Sequence, residues 1–331
     1  MTALATQPES VEAGGAIRAI LPYFGGKRSL ADTIAVELGT PQMRVVPFCG
    51  SLAVEFACSP CGHELSNDLN GHVVNLAHVL ASGRCVELYE RCRRVLNSST
   101  LHDEARRRIG AIECRKRMPT PADVDAPTDF HIEWAFWFLV RDWQGRNGTS
   151  GTSRGNITFG QRYTPNGGGG ARRWAQAVES MPWWHERLRS IQVLHVDALG
   201  LIESTDDLPS VSIYADPPYL TRTRGKGGGS RYQHDLPRDP WAEMAWHAHL
   251  ARLLRAKKQA RIVVSYYAAP EIEALYPGWT IVRLDTLKAL SAQNKRGNIR
   301  VPAPEILIIN GPSYSDPDQL HLFDSPTPPT P

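Results

Sequence analysis

The segment Val211-Ser212-Ile213-Tyr214-Ala215-Asp216-Pro217-Pro218-Tyr219 joins an apolar run to an acid, two prolines and an aromatic residue. The apolar run predicts a buried strand. Each proline fixes its own φ and lacks a backbone N–H, so the strand ends here and the carbonyls of Asp216 and Pro217 face outward as acceptors. Acceptors beside the flat ring of Tyr219 suit the amino group of a nucleobase. A plain turn after a strand has the same composition, so other parts of the chain must separate the two interpretations.

Short apolar runs of the same kind lie on both sides of this segment and alternate with stretches of helical periodicity. This alternation predicts an α/β protein with a mostly parallel sheet that is covered on both faces. The predicted strands are 44–47, 191–196, 211–215, 261–265, 280–284 and 305–309, and the predicted helices are 29–38, 71–81 and 241–256.

The composition divides the chain into a sheet-forming part, an inserted part and two polar ends. Residues 18–81 and 190–311 carry the predicted sheet. Residues 82–189 are arginine-rich and helical in pattern, then rich in glycine and asparagine, which predicts an insertion in the sheet domain rather than a separate enzyme. Residues 1–17 are polar and small, and residues 312–331 are rich in Pro, Asp and Ser, so we expect disorder in both.

Hydropathy and cysteine usage narrow the class of protein. The 331 residues are 42% hydrophobic, which is ordinary for a globular protein, and no apolar run is long enough to cross a bilayer. The N-terminal residues show no signal-peptide pattern, so we expect a cytoplasmic protein without a membrane partner. The six cysteines are scattered, which predicts reduced thiols. Cys58-x-x-Cys61 has no second ligand pair at zinc-site spacing, and we expect no metal.

The net charge of +3 conceals a local excess of positive charge. The stretch 91–117 contains nine Arg or Lys residues and three acids. A basic cluster on an otherwise near-neutral protein favours a surface that faces a polyanion. The alternative interpretation is a solvated helical face.

Two acidic residues and a small-residue loop are placed where a ligand could bind. The run Val45-Val46-Pro47-Phe48-Cys49-Gly50-Ser51 is typical of a strand that enters a tight turn before a helix, where a ligand can approach the backbone. Asp68 follows a second strand at a spacing suited to ribose hydroxyls. Asp197 follows the strand 191–196, where the alternative role is to cap the next helix.

The run Tyr23-Phe24-Gly25-Gly26-Lys27 precedes the first predicted helix. Its two glycines permit close approach of the backbone to a ligand, and Lys27 can meet a carboxylate or a phosphate. The spacing is not that of a P-loop, which needs four residues between its first glycine and Gly-Lys. Nucleotide hydrolysis is therefore excluded.

These elements together resemble the Dam-type (D12 class) DNA adenine-N6 methyltransferases. The resemblance rests on the runs 23–27, 47–51, 67–68 and 216–219, in that order, and covers about residues 20–310. Residues 144–160 resemble the family's Arg-x-Asn and Pro-Phe-Gly segment. Ser265-Tyr266-Tyr267 falls where the family has a further strand and pocket residue, and the runs 294–296 and 305–310 resemble its closing motif.

The resemblance implies a Rossmann-like class I sheet that uses S-adenosylmethionine, with residues 82–189 as an inserted helical and loop target recognition region. The residues that would hold the cofactor are Tyr23, Gly25 and Lys27 around its methionine end, Phe48, Gly50 and Ser51 in the loop, Asp68 at the ribose and Asp197 near the adenine. Val46 stands where the family usually has an acid, and Leu52 where it has a second glycine. Two outcomes stay open: these departures weaken binding of the methyl donor, or Glu55 or the Lys27 loop compensates for them.

The resemblance also implies double-stranded DNA as the partner and Asp216, Pro217, Pro218 and Tyr219 as the catalytic segment. The Asp216 side chain and the Pro217 carbonyl would accept hydrogen bonds from the amine of a flipped adenine, stacked on Tyr219. The residues expected to contact DNA are Arg146, Asn147, Arg154 and Asn156 in the insertion, and Arg222, Arg224 and Lys226 in a glycine-rich loop that would clamp a phosphate.

Several alternatives stay open at the level of the sequence. Similar segments occur in methyltransferases of cytosine-N4, of RNA and of protein glutamine, although Asp216 and the basic insertion favour adenine in DNA. Val46 and Leu52 motivate a further alternative, a non-catalytic DNA-binding relative. We expect a monomer, and no nuclease motif is visible, so a cognate restriction nuclease would be a separate protein.

Overall fold

The computed structural model describes residues 15–23, 25–115, 119–123, 125–145, 157–161, 169–223, 236, 239–287 and 302–315, with the backbone alone for 285–287 and 302–304. Within these ranges, none of the helices combines the length and the hydropathy needed to cross a membrane. The strands are β1 (Met43–Val46), β2 (His63–Asn67), β3 (Gln192–Leu194), β4 (Val211–Ala215), β5 (Arg261–Tyr267), β6 (Thr280–Leu287) and β7 (Pro302–Ile309). The helices are α1 (Ala31–Leu38), α2 (Ala53–Ala57), α3 (Gly71–Ala81), α4 (Cys85–Arg93), α5 (Ser99–Glu113), α6 (Asp129–Trp143), α7 (Gly170–Glu179), α8 (Met181–Leu188), α9 (Ala198–Ser204), α10 (Pro240–Ala256) and α11 (Pro270–Glu273).

The strands form one seven-stranded sheet in the order β3-β2-β1-β4-β5-β7-β6. The first five strands are parallel, and β7 runs antiparallel to both β5 and β6. The chain order reverses between β1 and β4, and open α/β sheets bind ligands at the carboxyl ends of the strands at such a reversal. The topology therefore marks the end of β1 and the end of β4 as the place to look for a site.

Both faces of the sheet are covered, as the alternating pattern predicts. Ile213 belongs to the core shared with α10 and α11, whereas its neighbour Tyr214 belongs to the core shared with α1 and α3. Successive side chains of a strand point to opposite faces, so the all-apolar run of β4 supplies both cores at once. All five residues of β4 are buried.

The strand β2 is absent from the predicted apolar runs because its sequence, His-Glu-Leu-Ser-Asn, is mostly polar. Its Glu64 is buried and accepts a hydrogen bond of 2.9 Å from Nη1 of Arg44 on β1. Arg187 of α8 lies 2.6 Å from the other carboxylate oxygen. A buried carboxylate is tolerated when it is paired in this way, and the pairing replaces the apolar contacts that a strand prediction looks for.

The ends of several other elements, among them β3, β6, β7 and α10, differ from their predicted positions. The strand β3 stops at Leu194 because the backbone N–H of Val196 donates to Oδ1 of Asn67 rather than to a ladder partner. The strands β6 and β7 are longer than predicted, since their pairing continues to Leu287 and Pro302. The helix α10 begins one residue early, at Pro240, behind the capping side chain of Asp239.

The helices α4 to α8 lie between β2 and β3 in the chain and pack onto the sheet domain through α3. Leu76 of α3, Val140 of α6 and Trp184 of α8 are fully buried in a single cluster with Ile34 of α1. The helical part of the predicted insertion therefore shares its core with one face of the sheet.

Candidate active site

A cavity of about 360 Å³ opens at the carboxyl ends of β1, β2 and β4, where the topology places a site. Its walls include every residue expected to hold the cofactor, and two of the four residues of the catalytic segment, Asp216 and Pro218. The predicted residues on its walls are Tyr23, Gly25, Lys27, Phe48, Gly50, Ser51, Asp68, Asp197, Asp216 and Pro218. The strand ends thus bring together segments that are far apart in the sequence.

The loop after β1 forms a tight turn against Tyr23. Gly50 has a φ of 51°, and a side chain built on it would meet the Tyr23 ring at 3.3 Å. Leu52, which stands where the family has a second glycine, has a φ of 60°. This is left-handed geometry that leucine rarely adopts. The loop therefore keeps a glycine-like backbone at Leu52, whose side chain is fully buried.

The acids at the ends of β2 and β3 are held by backbone donors. Asp68 accepts hydrogen bonds of 2.8 Å from the N–H groups of Gly50 and Asn70, and burial raises its pKa despite those donors. Asp197 accepts a hydrogen bond of 2.8 Å from the N–H of Gly200 and so caps α9. The alternative role of Asp197 as a helix cap is thus present, on a residue that also lines the cavity.

A buried carboxyl group lies beside Val46, where the sequence resemblance leads us to expect an acid. Val46 and Ser66 are register partners on β1 and β2. The hydroxyl of Ser66 donates to Oε1 of Glu55 over 2.8 Å, and Oε2 of Glu55 has no hydrogen-bond partner among the described residues. Burial raises the pKa of Glu55 to about 7. Glu55, on the first turn of α2, therefore places a carboxyl group near Val46 at the end of β1.

Asp216 directly follows β4 and is held by one cation and one hydroxyl. Lys27 Nζ lies 2.8 Å from Oδ2 of Asp216, and the hydroxyl of Ser265 on β5 donates to Oδ1 over 2.7 Å. Tyr214 in turn lies 3.0 Å from the Ser265 hydroxyl. Burial raises the pKa of Asp216, and the charge of Lys27 opposes that rise. The carboxylate is thus fixed in direction and partly neutralised.

Tyr219 lies behind the cavity wall, with 4% of its surface exposed. Its hydroxyl donates to Oε1 of Glu305 on β7 over 2.7 Å. Lys27 Nζ lies 5.0 Å from the centre of the Tyr219 ring, and the ring of Tyr267 meets it edge-on at 4.7 Å. Any base that stacks on Tyr219 must therefore enter between groups that already cover the ring.

The expected DNA-binding residues are only partly within the described ranges. Arg222 lies on a short 3-10 turn, Thr221–Thr223, is largely exposed and forms an ion pair with Glu271. The turn is anchored because Thr221 donates both its N–H and its hydroxyl to Glu243. The predictions for Arg146, Asn147, Arg154, Asn156, Arg224 and Lys226 lie outside the described residues.

Much of the basic stretch 91–117 is paired with acids. The arginines between residues 91 and 108 lie beside acids of α4, α5 or α6; the pairs are Arg91–Glu133, Arg93–Glu90, Arg94–Glu90, Arg106–Asp103, Arg107–Glu104 and Arg108–Glu104. These pairs are mostly exposed, as on a solvated helical face. Their acids reduce the local excess of positive charge that the sequence alone indicates.

Sequence reasoning assigned no role to several groups that the fold brings to the site. Trp246 of α10 lines the cavity, and its ring lies 6.2 Å from that of Phe48. Ser265 and Glu305 touch Asp216 and Tyr219 respectively. The one available signal for Ser265 and Glu305 was their place in runs that resemble family motifs. Trp246 carried no signal, because a tryptophan inside an amphipathic helix is typical of a core position.

The sheet order, the cavity where the strand order reverses and the Asp-Pro-Pro-Tyr segment beside it are consistent with one class of protein, the α/β methyltransferases of class I fold. A family model described as D12 class N6 adenine-specific DNA methyltransferase matches residues 23–290. The chain belongs to this family, and its activity is N6 methylation of adenine in DNA, for which the family implies S-adenosylmethionine as methyl donor. The resemblance and the α/β fold class predicted from the sequence are confirmed. No curated protein matches the chain significantly.

Proposed function

We propose that the protein methylates adenine at specific sites in double-stranded DNA. In this proposal S-adenosylmethionine occupies the cavity beside the loop after β1, and the adenine turns out of the duplex to meet Asp216. The observation that carries the proposal is that Asp216 and Pro218 line the same cavity as Gly50 and Asp68. Methyl donor and base amine would then approach one another across a single pocket.

The lining suits S-adenosylmethionine in size and in chemistry. A volume of about 360 Å³ falls within the roughly 300–1,000 Å³ of small-molecule sites. Asp68 would bind the ribose hydroxyls of the cofactor. The rings of Phe48 and Trp246 would contact the adenine ring of the cofactor, with Asp197 nearby. Tyr23, Gly25 and Ser51 would surround the methionine end. The hydrogen bond from the N–H of Gly50 to Asp68 supports this assignment, because it holds the loop beside that carboxylate on the lining of the cavity.

S-adenosylmethionine supplies an electrophilic methyl group when it is bound. Asp216 and the Pro217 carbonyl would accept hydrogen bonds from the amine of the adenine, which favours a pyramidal nitrogen with its lone pair free to attack. Lys27 and Ser265 would hold the carboxylate in that direction. The transfer needs no covalent enzyme intermediate, so orientation and preorganised charge would account for most of the catalysis.

Tyr219 would stack on the flipped adenine, since every base presents a flat face to an aromatic ring. Lys27 and Tyr267 lie against the ring and would have to make room for it. Arg222 would bind a DNA phosphate in exchange for Glu271. In the same proposal, residues 82–189 form the target recognition region and the protein acts on DNA as a monomer. Any cognate restriction nuclease would be a separate protein.

The test is to incubate the protein with S-adenosylmethionine and unmethylated duplex DNA, digest the DNA to nucleosides and analyse them by mass spectrometry. We expect methyl groups on deoxyadenosine, and sequencing of the same DNA to show that they fall at one recurrent sequence. Methyl groups on deoxycytidine, or on deoxyadenosine at random positions, would contradict the proposal.

A further inference from the structure

The antiparallel strand β7 delivers a side chain to the catalytic edge of the sheet. Because β7 runs against β5, its early residues rather than its last ones lie beside the carboxyl ends of the parallel strands. Glu305 pairs in register with Tyr267, the last residue of β5. The carboxylate of Glu305 therefore lies level with Asp216 and Tyr219, which follow β4, the strand on the other side of β5.

One oxygen of Glu305 is shared by two residues of the site. Oε1 accepts a hydrogen bond of 2.7 Å from the hydroxyl of Tyr219 and lies 3.3 Å from Nζ of Lys27. The side chain of Glu305 is 13% exposed, and that of Lys27 is 6% exposed. Hydrogen bonds and charges act strongly in such a place, because little water is present to screen them.

The same ammonium group faces the second carboxylate, Asp216, at 2.8 Å. One cation thus lies between two carboxylates. The groups that interact electrostatically with Asp216 come from every neighbouring element that the structure describes: Lys27, Tyr214, Tyr219, Tyr266, Tyr267 and Glu305. Burial raises the pKa of each of these tyrosines, so Lys27 and Glu305 are the charges that act on Asp216.

We infer that Glu305 is a positioning residue for methyl transfer, which orients the Tyr219 ring and draws part of the Lys27 charge away from Asp216. The inference rests on the proposed roles of Asp216 and Tyr219. With Glu305 present, Lys27 neutralises less of the Asp216 carboxylate, which then accepts a stronger hydrogen bond from the amine of the target adenine. The charge of Glu305 also raises the pKa of Asp216, which is the direction expected of a stronger hydrogen-bond acceptor.

Three variants separate the two actions of Glu305. Glu305→Gln keeps an acceptor for Tyr219 and removes the charge. Glu305→Asp keeps the charge and shortens the reach to Tyr219. Tyr219→Phe removes the hydrogen bond and leaves the charge of Glu305 in place. Glu273→Gln, on the end of α11 and paired with Arg283, serves as the matched control.

The measurements are kcat, the KM for duplex DNA, the dissociation constant for S-adenosylmethionine and the acid limb of the kcat profile against pH. For Glu305→Gln we expect kcat to fall by about tenfold, with KM and donor binding within about twofold. The acid limb should move to lower pH by at least about half a unit, because removing a negative charge lowers the pKa of Asp216. Glu305→Asp and Tyr219→Phe should keep the wild-type acid limb, and Glu273→Gln should match the wild type throughout.

The inference is overturned if Glu305→Gln keeps the kcat and the acid limb of the wild type. It is equally overturned if Glu305→Asp and Tyr219→Phe move the acid limb as far as Glu305→Gln does. If Glu305→Gln did not fold, Glu305→Asp would decide the matter: its shorter side chain should lower kcat and leave the acid limb unchanged, and a wild-type kcat would overturn the inference. Failure of the proposed function gives a different result, namely a wild-type protein that places no methyl on deoxyadenosine.

Discussion

Lys27 and Asp216 form a buried ion pair, with 2.8 Å between Nζ and Oδ2. Lys27 precedes the first helix and Asp216 follows the fourth strand, so only the folded sheet brings them together. The ammonium group also donates to the carbonyl of Gly25 over 2.8 Å, which ties the glycine loop to the catalytic segment. Lys27 therefore links the part of the cavity expected to hold the methyl donor to the part expected to hold the base, through one hydrogen bond and one ion pair.

Asp216→Ala should abolish methyl transfer and leave the fold intact. The substitution removes the acceptor for the adenine amine, while Lys27 keeps Glu305 and the carbonyl of Gly25 as partners. We expect less than about a tenth of wild-type activity, because removing one preorganised electrostatic group commonly costs 10² or more in kcat. Incorporation of labelled methyl groups into unmethylated DNA measures the activity, and circular dichroism checks the fold. A folded variant with more than a tenth of the activity would argue against the role of Asp216.

Tyr219→Ala should weaken capture of the base far more than Tyr219→Phe. Phenylalanine keeps the flat face and the packing against Tyr267, and it loses only the hydrogen bond to Glu305. Stacking of one base on an aromatic ring contributes about 1–3 kcal/mol, so alanine should raise the KM for DNA by roughly five- to a hundredfold. Steady-state kinetics on a duplex substrate measures this. Equal losses in the two variants would contradict stacking.

Glu271→Gln should strengthen DNA binding, and Arg222→Gln should weaken it. Glu271 holds the Arg222 side chain in an exposed ion pair, and a DNA phosphate would have to replace that carboxylate. Fluorescence anisotropy over a range of salt concentrations measures both effects. Arg222→Gln should also reduce the slope of log affinity against log salt by about one. An unchanged slope in this variant would show that Arg222 does not contact a phosphate.

Leu52→Gly should be more stable than Leu52→Ala, the reverse of the usual ranking. Both variants lose a fully buried side chain, at a cost of about 2–5 kcal/mol relative to the wild type. Glycine, however, is unstrained at a φ of 60°, where a residue with a Cβ atom costs roughly 1–2 kcal/mol. We expect the free energy of unfolding of Leu52→Gly to exceed that of Leu52→Ala by about 1 kcal/mol. Urea titration measures both values. An alanine variant of equal or greater stability would show that the backbone at Leu52 is not strained.

Glu55→Gln should remove part of the pH dependence of stability. The pKa of Glu55 is about 7 in the folded protein against an ordinary value of 4.5, so the folded state holds the proton more tightly. The stability that Glu55 contributes is therefore fully present below pH 4.5 and is lost as the pH rises to about 7 and beyond. The glutamine variant cannot ionise, and its stability relative to the wild type should increase by roughly 3 kcal/mol across that window.

Urea unfolding at a series of pH values between 4.5 and 8 measures this difference. Glu203→Gln on the exposed surface of α9 is the control, and it should follow the wild type. If the free energies of unfolding of Glu55→Gln and the wild type differed by the same amount at all pH values, the pKa of the Glu55 carboxyl group would not be raised in the folded protein.

Local features of the chain were predictable because they depend on neighbouring residues. The strand Val211–Ala215 and the helix Gly71–Ala81 lie at their predicted bounds, since apolar runs and helical periodicity are local patterns. The strand β2 was inferred only from the position of Asp68, because it has no apolar run and its buried Glu64 is paired with Arg44 and Arg187 from other elements. A pattern in one segment cannot show a partner supplied by another.

The motifs of the site were predictable in kind, and their contacts were not. Asp216-Pro217-Pro218-Tyr219 and the loop at Gly50 stand out because proline, glycine and acids have few roles after a strand. The partners of Asp216 and Tyr219, by contrast, depend on the order of strands in the sheet.

The sequence by itself determined that this protein is an α/β methyltransferase of the D12 class, because its motifs are local and occur in a fixed order. Only the tertiary structure decided that β7 runs antiparallel and places Glu305 beside Lys27 and Tyr219. It also decided that Glu55 is hydrogen-bonded to Ser66, the register partner of Val46 at the end of β1. The reason is that strand order and direction arise from long-range pairing, which leaves no periodic trace in the chain.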